Sequence, residues 1–191
     1  MKRNTLLAIL FLPAAGVFLY LLYLGFFSKI TVQSAVKGPY HIAYVEYTGP
    51  YSGVGPSFEL VEKYLRDEGV GVLAHAGMYF DNPEYVAESK LRSHAGAVIS
   101  EKDYSRLQLQ KKGDFLLKIL PQSEYVFTRF PFKNFLSIFL GIYRVYPALN
   151  EFAKNLNYKP YRYKETGYED SFIMEIYYSD RIEYLMNLPS E

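Results

Sequence analysis

The feature that most constrains this chain is a tandem repeat: the same order of strand, stop and helix occurs twice along its 191 residues. In the first half Tyr40 to Tyr47 (YHIAYVEY) is β-branched and aromatic, which suits a strand. Gly49-Pro50-Tyr51 ends it. An amphipathic helix is expected over Ser57 to Glu68, with Phe58, Val61 and Leu65 on one face and Gly69 as its C-terminal cap. Strands near Ala74–Phe80 and Arg92–Ser100 follow, separated by the turn residues Asp81-Asn82-Pro83-Glu84. The second half replays the order: strand-like Glu124–Phe130, a helix to about Asn157, then strand-like Pro160–Thr166 and Ser171–Ser179. Pro56, Phe58, Val61 and Leu65 recur as Pro147, Leu149, Phe152 and Leu156, each 91 positions on. Both prolines are expected in the first helical turn, where a missing N–H costs little. The fold class this implies is α+β, a β-α-β-β unit used twice. One helix from each half would cover a sheet face, leaving the other face or the seam between halves as a groove.

Ahead of the repeat, Thr5 to Phe27 carries no ionisable group except Tyr20 and Tyr23. As a helix rising ~1.5 Å per residue it reaches about 34 Å, against a hydrocarbon core of ~30 Å. The expectation is an uncleaved transmembrane anchor over residues 1–28; the alternative, a signal peptide, has a shorter apolar run ending in small residues. The organisation expected is then a linker at 29–37, a domain at 38–183 with halves at about 38–100 and 115–180, and a short tail at 184–191. Lys2 and Arg3 before the run, against Lys29 and Lys37 after it, lean towards a single-pass membrane protein with its domain outside the cytoplasm. The segment Phe130 to Tyr143, FPFKNFLSIFLGIY, is apolar but too short to span. A buried helix start or hairpin is the expectation there.

Composition removes several functions. Net charge is +1, with 21 basic and 20 acidic residues and no long run of either sign, so a nucleic-acid platform is not expected. The chain has no cysteine, and His41, His75 and His94 lack ligand spacing, so no metal site is expected. Gly69-Val70-Gly71 leads into a strand rather than a phosphate-cradling helix, and no P-loop or G-x-S-x-G elbow occurs. No cofactor is expected, and a binding protein is the better reading than an enzyme. The chain has 20 tyrosines and 14 phenylalanines without a tryptophan, which suits core, strand and ligand-cleft positions alike.

Gly49-Pro50-Tyr51 before a helix, Gly77-Met78-Tyr79-Phe80-Asp81-Asn82-Pro83 entering a turn, and Met174-Glu175-Ile176-Tyr177 in the last strand resemble the GyrI-like small-molecule-binding family. Its fold, of the SOUL/GyrI type, is a duplicated β-α-β-β unit with a ligand groove across the halves. FPFKNFLSIFLGIYRVYPAL, Phe130 to Leu149, is similar to an insertion of the family's membrane-anchored branch, typified by the testis-expressed reticulophagy receptor. That branch has a long C-terminal tail, whereas this chain ends at Glu191, so an autophagy role is not expected.

Alternation along the last strand puts Phe172, Met174 and Ile176 on one face and Ile173, Glu175 and Tyr177 on the other. If the apolar set meets the helices, Glu175 faces the groove. The resemblance implies that a glutamate here meets cationic ligands in drug sensors and is catalytic in hydrolases. It also suggests Tyr79, Tyr163 and Tyr177 as aromatic walls, with Asp81 near one rim. Three functions follow: a membrane-anchored module that binds or senses a small, cationic or aromatic organic molecule; a protein-interaction adaptor using the 130–146 insertion; and a hydrolase with Glu175 as general base. Glu175 pairing with a neighbour on an ordinary solvated sheet is the structural alternative.

Overall fold

The computed structural model describes residues 3–110, 115–156 and 172–187. Eight strands form in it: β1 (Gln33–Lys37), β2 (Tyr40–Thr48), β3 (Ala74–Tyr79), β4 (Arg92–Ile99), β5 (Leu116–Leu120), β6 (Ser123–Pro131), β7 (Ile173–Tyr177) and β8 (Arg181–Asn187). All pair antiparallel in the order β1-β6-β8-β7-β3-β4-β2-β5, and the sheet curls into a half-barrel. The run β2-β4-β3 is mirrored by β6-β8-β7. The halves meet where β3 lies against β7, with Gly77 directly opposite Glu175.

Alternation gives each strand two faces with different neighbours. Ile42, Met78, Phe127, Met174, Ile176 and Leu185 pack with one another inside the curl. The other face carries the helices. α2 (Gly55–Asp67) buries Val61 and Leu65 against β2 and β4, joined by Tyr104 and Leu107 of α3 (Glu101–Gln110). α4 (Leu136–Asn155) lies on β6 and β8 and buries Ser137, Gly141, Val145, Leu149 and Ala153. Every fourth position makes one stripe on a helix, and three of these five residues are small, so the helix lies close to the sheet. Its start is fixed locally: Ser137 Oγ accepts the Lys133 N–H at 3.0 Å and Asn134 Oδ1 accepts the Leu136 N–H at 3.0 Å. With α2 on one flank and α4 on the other, the central strands β3 and β7 are left between them.

Several expectations change. The apolar set of β7 turns into the curl, away from α2 and α4, so Glu175 shares a face with the helices. Pro56 does lie in the first turn of α2, but Pro147 lies inside α4. The segment 136–146 is therefore an N-terminal extension of that helix, and Phe135 and Phe139 are 69% and 55% exposed. The second half continues through β7 into β8, a strand inside the stretch expected to end the domain and begin the tail; Pro160–Thr166 lies outside the described residues. β1 occupies part of the expected linker and pairs with β6.

The expected membrane anchor is overturned: no helix among the described residues is long and apolar enough to cross a membrane. With it goes the single-pass membrane localisation, and without a span the charge bias that placed the domain outside the cytoplasm loses its basis. The apolar run does form α1 (Arg3–Tyr23), but its end is spent on the domain. Tyr20 Oη accepts a hydrogen bond from Asn134 Nδ2 at 2.8 Å, and Lys133 Nζ lies 5.9 Å from the Tyr23 ring centre. The chain then turns through Gly25, at φ 79°, and buries Leu24 to 1% exposure. Thr5 to Leu19, the part of the helix ahead of these contacts, reaches only about 22 Å against ~30 Å of hydrocarbon.

Leu24 is thus a core residue contributed from outside the repeat. Leu24→Ala is expected to lower the unfolding free energy by about 2–4 kcal/mol, read from the denaturant midpoint; a midpoint equal to wild type would place the core wholly within the repeat.

Candidate functional site

The space between α2 and α4 is a groove of about 1480 Å³. Its floor is the β3–β7 ladder, which presents His75, Tyr79, Glu175 and Tyr177; Phe58 of α2 and Tyr146 of α4 form the walls. The cross-strand pairing Gly77↔Glu175 makes Tyr79 and Tyr177 equivalent, each two residues beyond the paired position. Gly77 is required here because a Cβ at that position would stand 2.8 Å from the Tyr79 hydroxyl and 3.0 Å from two ring carbons. With no side chain at position 77, the Tyr79 ring folds back over β3.

Glu175 is 1% exposed. Tyr146 donates its hydroxyl to Oε1 at 2.7 Å, and Tyr177 donates its hydroxyl to Oε2. The Tyr79 and Tyr177 hydroxyls are 3.4 Å apart, and because the Tyr177 proton points at Glu175, Tyr79 is the donor of that pair. Two tyrosines therefore hold the carboxylate and a third supports one of them. Among the described residues no cation pairs with it. Burial pushes the Glu175 carboxyl above its ordinary range, and the two tyrosine hydrogen bonds oppose that only in part. Burial likewise raises the Tyr177 and Tyr79 phenols, with the Glu175 charge as the next cause.

Beside the carboxylate, Tyr184 pairs with Glu175 across β8, and its ring stands edge-on to Tyr146 at 6.1 Å. The Tyr184 hydroxyl is buried without a partner among the described residues and points at Gly141 of α4, where a Cβ would overlap it. Tyr51 closes the other end of the floor, its ring edge-on to Tyr79 at 4.9 Å. Its hydroxyl donates to the Asp81 carbonyl at 2.8 Å and accepts the Asp81 N–H at 3.0 Å.

Of the residues singled out from the sequence, Glu175, Tyr177 and Tyr79 come together on the groove floor. Asp81 lies at the rim, but its carboxylate is taken: Arg92 donates Nε at 3.0 Å, Nη2 at 2.9 Å and its backbone N–H at 2.7 Å. Asp81 fixes the β3–β4 connection and the Tyr51 hydroxyl. Tyr163 lies outside the described residues. Sequence reasoning missed Tyr146, Tyr51, Phe58 and Gly77. Tyr146 immediately precedes Pro147, and only an α4 that begins well before that proline turns it to the sheet. For Gly77 a signal existed, since a glycine inside a strand pattern marks close approach.

No protein-family model matches the chain. It is 28% identical over 177 residues to the mouse testis-expressed protein 264 homolog, covering 87% of this chain and 51% of the relative. With human testis-expressed protein 264 it shares 31% identity over 121 residues, covering 61% and 36%. The chain is homologous to these proteins. It spans about half the length of the mouse relative and about a third of the human one. In fold, it resembles an integron cassette protein of Vibrio cholerae, with a TM-score of 0.52 at 9% identity, covering 83% of this chain and 95% of that one. An uncharacterised conserved protein of Listeria innocua superposes with a TM-score of 0.50 at 10% identity, covering 83% and 92%. At such identities these two likenesses establish the fold alone.

The electrostatics of Glu175 set a pH dependence. Its pKa is raised on folding, so the folded state holds that proton more tightly than the unfolded chain does. The stability gained is full below the ordinary glutamate range and is lost as pH rises through the raised value. Across that window the empty protein is expected to lose stability relative to Glu175→Gln, as read from denaturant midpoints of both proteins at stepped pH. A constant difference between the two would mean that Glu175 titrates as an ordinary carboxylate.

Proposed function

We propose that this chain is a small-molecule-binding module of the GyrI-like kind, which takes a cationic or aromatic organic ligand between α2 and α4 with Glu175 as its charge partner. The observation that carries this reading is the buried carboxylate on the floor of an aromatic groove, held by tyrosine hydroxyls and by no described cation. An ionised carboxylate in such a place costs free energy while the groove is empty. A ligand cation supplies the missing charge, and the tyrosine faces add cation–π attraction. Binding of a cation also favours the ionised form, so affinity rises with pH through the titration of Glu175 and a proton is released on binding.

The test is Glu175→Gln, which keeps the shape and removes the charge. Affinity for lipophilic cationic dyes is expected to fall by about tenfold or more, ~1.4 kcal/mol or more, while neutral analogues of the same dyes change little. Equal binding of every dye by both proteins would refute the proposal. Turnover that collapses in the variant, with binding preserved, would instead identify Glu175 as a general base.

A further inference from the structure

Along α4 the wall of the groove changes character. Its N-terminal part presents Phe135, Phe139, Ile142 and Tyr143, all exposed, with Tyr143 at 71%. Tyr146 comes next, with its hydroxyl on Glu175. Beyond Pro147 the same wall presents Asn150, Glu151 and Lys154. The Asn150 Oδ1 acceptor is buried with no hydrogen-bond partner among the described residues. Glu59 of α2 and Glu84 of the β3–β4 connection add negative charge, as does Glu62, whose carboxylate has Arg66, outside the lining, 3.7 Å away, whereas Lys154 is the one lysine or arginine in the described lining. The groove is thus apolar at one end and acidic overall, with Glu175 at its centre held only by phenols and, beyond it, Asn150 Oδ1 without a hydrogen-bond partner among the described residues.

That order along one helix matches a molecule with the same order along its length. We infer that the occupant is a single-chain cationic amphiphile, its amine-bearing head at Glu175 and towards Asn150, its alkyl chain running out along Ile142 and Phe139 to Phe135. This rests on the binding reading above and adds the ligand's class and direction. From Tyr146 back to Phe135 the helix rises about 16 Å, which sets the useful length of the chain. The tail covers aromatic surface that water otherwise meets, and the positive head answers the acidic lining.

The experiment is calorimetric titration of the full chain with alkyltrimethylammonium ions of increasing length, kept below micelle-forming concentrations, with alkyl sulfates of equal length as charge controls. Affinity is expected to climb about two- to fourfold per added methylene, the upper figure being full burial, and to level once the tail reaches Phe135. Phe135→Ser with Phe139→Ser should flatten that slope and leave a short aromatic cation bound as before. Both side chains are exposed, so the fold should survive; Ile142→Thr alone, with a smaller flattening, serves if it does not. A slope that is flat in wild type, unchanged in the variants, or matched by the alkyl sulfates overturns the inference. So does a wild-type dimer in sedimentation that the double serine variant dissolves, because the apolar wall would then belong to a second copy. A flat slope beside Glu175-dependent binding of an aromatic dye overturns the inference but leaves the binding reading standing. Binding of no cation at all overturns both.

Discussion

The antiparallel ladder between β3 and β7 joins the two halves of the sheet, and the pair at its centre is a glycine opposite a buried glutamate. Each half carries one large helix on the same face, and neither helix covers the seam. The floor of the groove is therefore the part of that face left between α2 and α4, which reach it only through side chains such as Phe58 and Tyr146. A side chain at position 77 would push the Tyr79 ring off its own strand, so the bare backbone there and the tyrosine chain ending on Glu175 depend on each other. The site is a consequence of how the halves meet, and it lies at the relation between them.

Keeping the groove open requires both flanks to be pinned close to the sheet. On the α4 side, Ser137, Gly141 and Ala153 bring the helix down, and Gly141 also makes room for the Tyr184 hydroxyl. Residues outside the repeat then brace the start of α4. Arg144 donates Nη2 to the Ser28 carbonyl at 3.1 Å, and the rings of Phe26 and Tyr143 stack at 6.3 Å. At the other end, the Asp81–Arg92 pair holds the β3–β4 connection and, through the Asp81 main chain, the Tyr51 hydroxyl. The apolar run at the N-terminus therefore acts on the domain through its last turn, where its tyrosines and Leu24 make contact.

These arrangements differ in how far the sequence reveals them. β2, β3 and β4 are legible because β-branched and aromatic runs end at Gly-Pro or Asp-Asn-Pro signals, and α2 because one apolar face is capped by Gly69. β8 is not, since RIEYLMN mixes charged and apolar residues without a clear period and its register comes from pairing with β6 and β7. The 91-residue offset also misplaces the second helix: Leu65 is buried, while Leu156, its counterpart at that offset, is exposed. The buried stripe of α4 instead runs through Leu149 and Ala153, and the helix starts well before Pro147. Parity along β7 correctly separates Glu175 and Tyr177 from Met174 and Ile176, yet it cannot say which set faces the helices, because both faces of a curled sheet are buried. The 23-residue apolar run reads as an anchor by length and hydropathy alone; its contacts with Lys133 and Asn134 are long-range and carry no local signal.

Three carboxylates are buried among the described residues, and of these Glu183 pairs with Arg181 and Lys37, while Asp81 and Glu175 differ in what satisfies them. Asp81 has a bidentate arginine and a backbone N–H, so its charge is neutralised within the protein and its role is to fix the chain. Glu175 has phenols. A tyrosine hydroxyl can donate a hydrogen bond to a carboxylate without cancelling its charge, so Tyr146 and Tyr177 orient and partly solvate the group while its field still reaches the groove. An arginine in place of either tyrosine would hold Glu175 ionised and remove its need for a partner. With tyrosines the carboxyl keeps a pKa raised by burial and has no cation beside it among the described residues, which is the deficit that the proposed ligand would make good. Tyrosine thus lets a buried acid be hydrogen-bonded within the fold without its charge being cancelled.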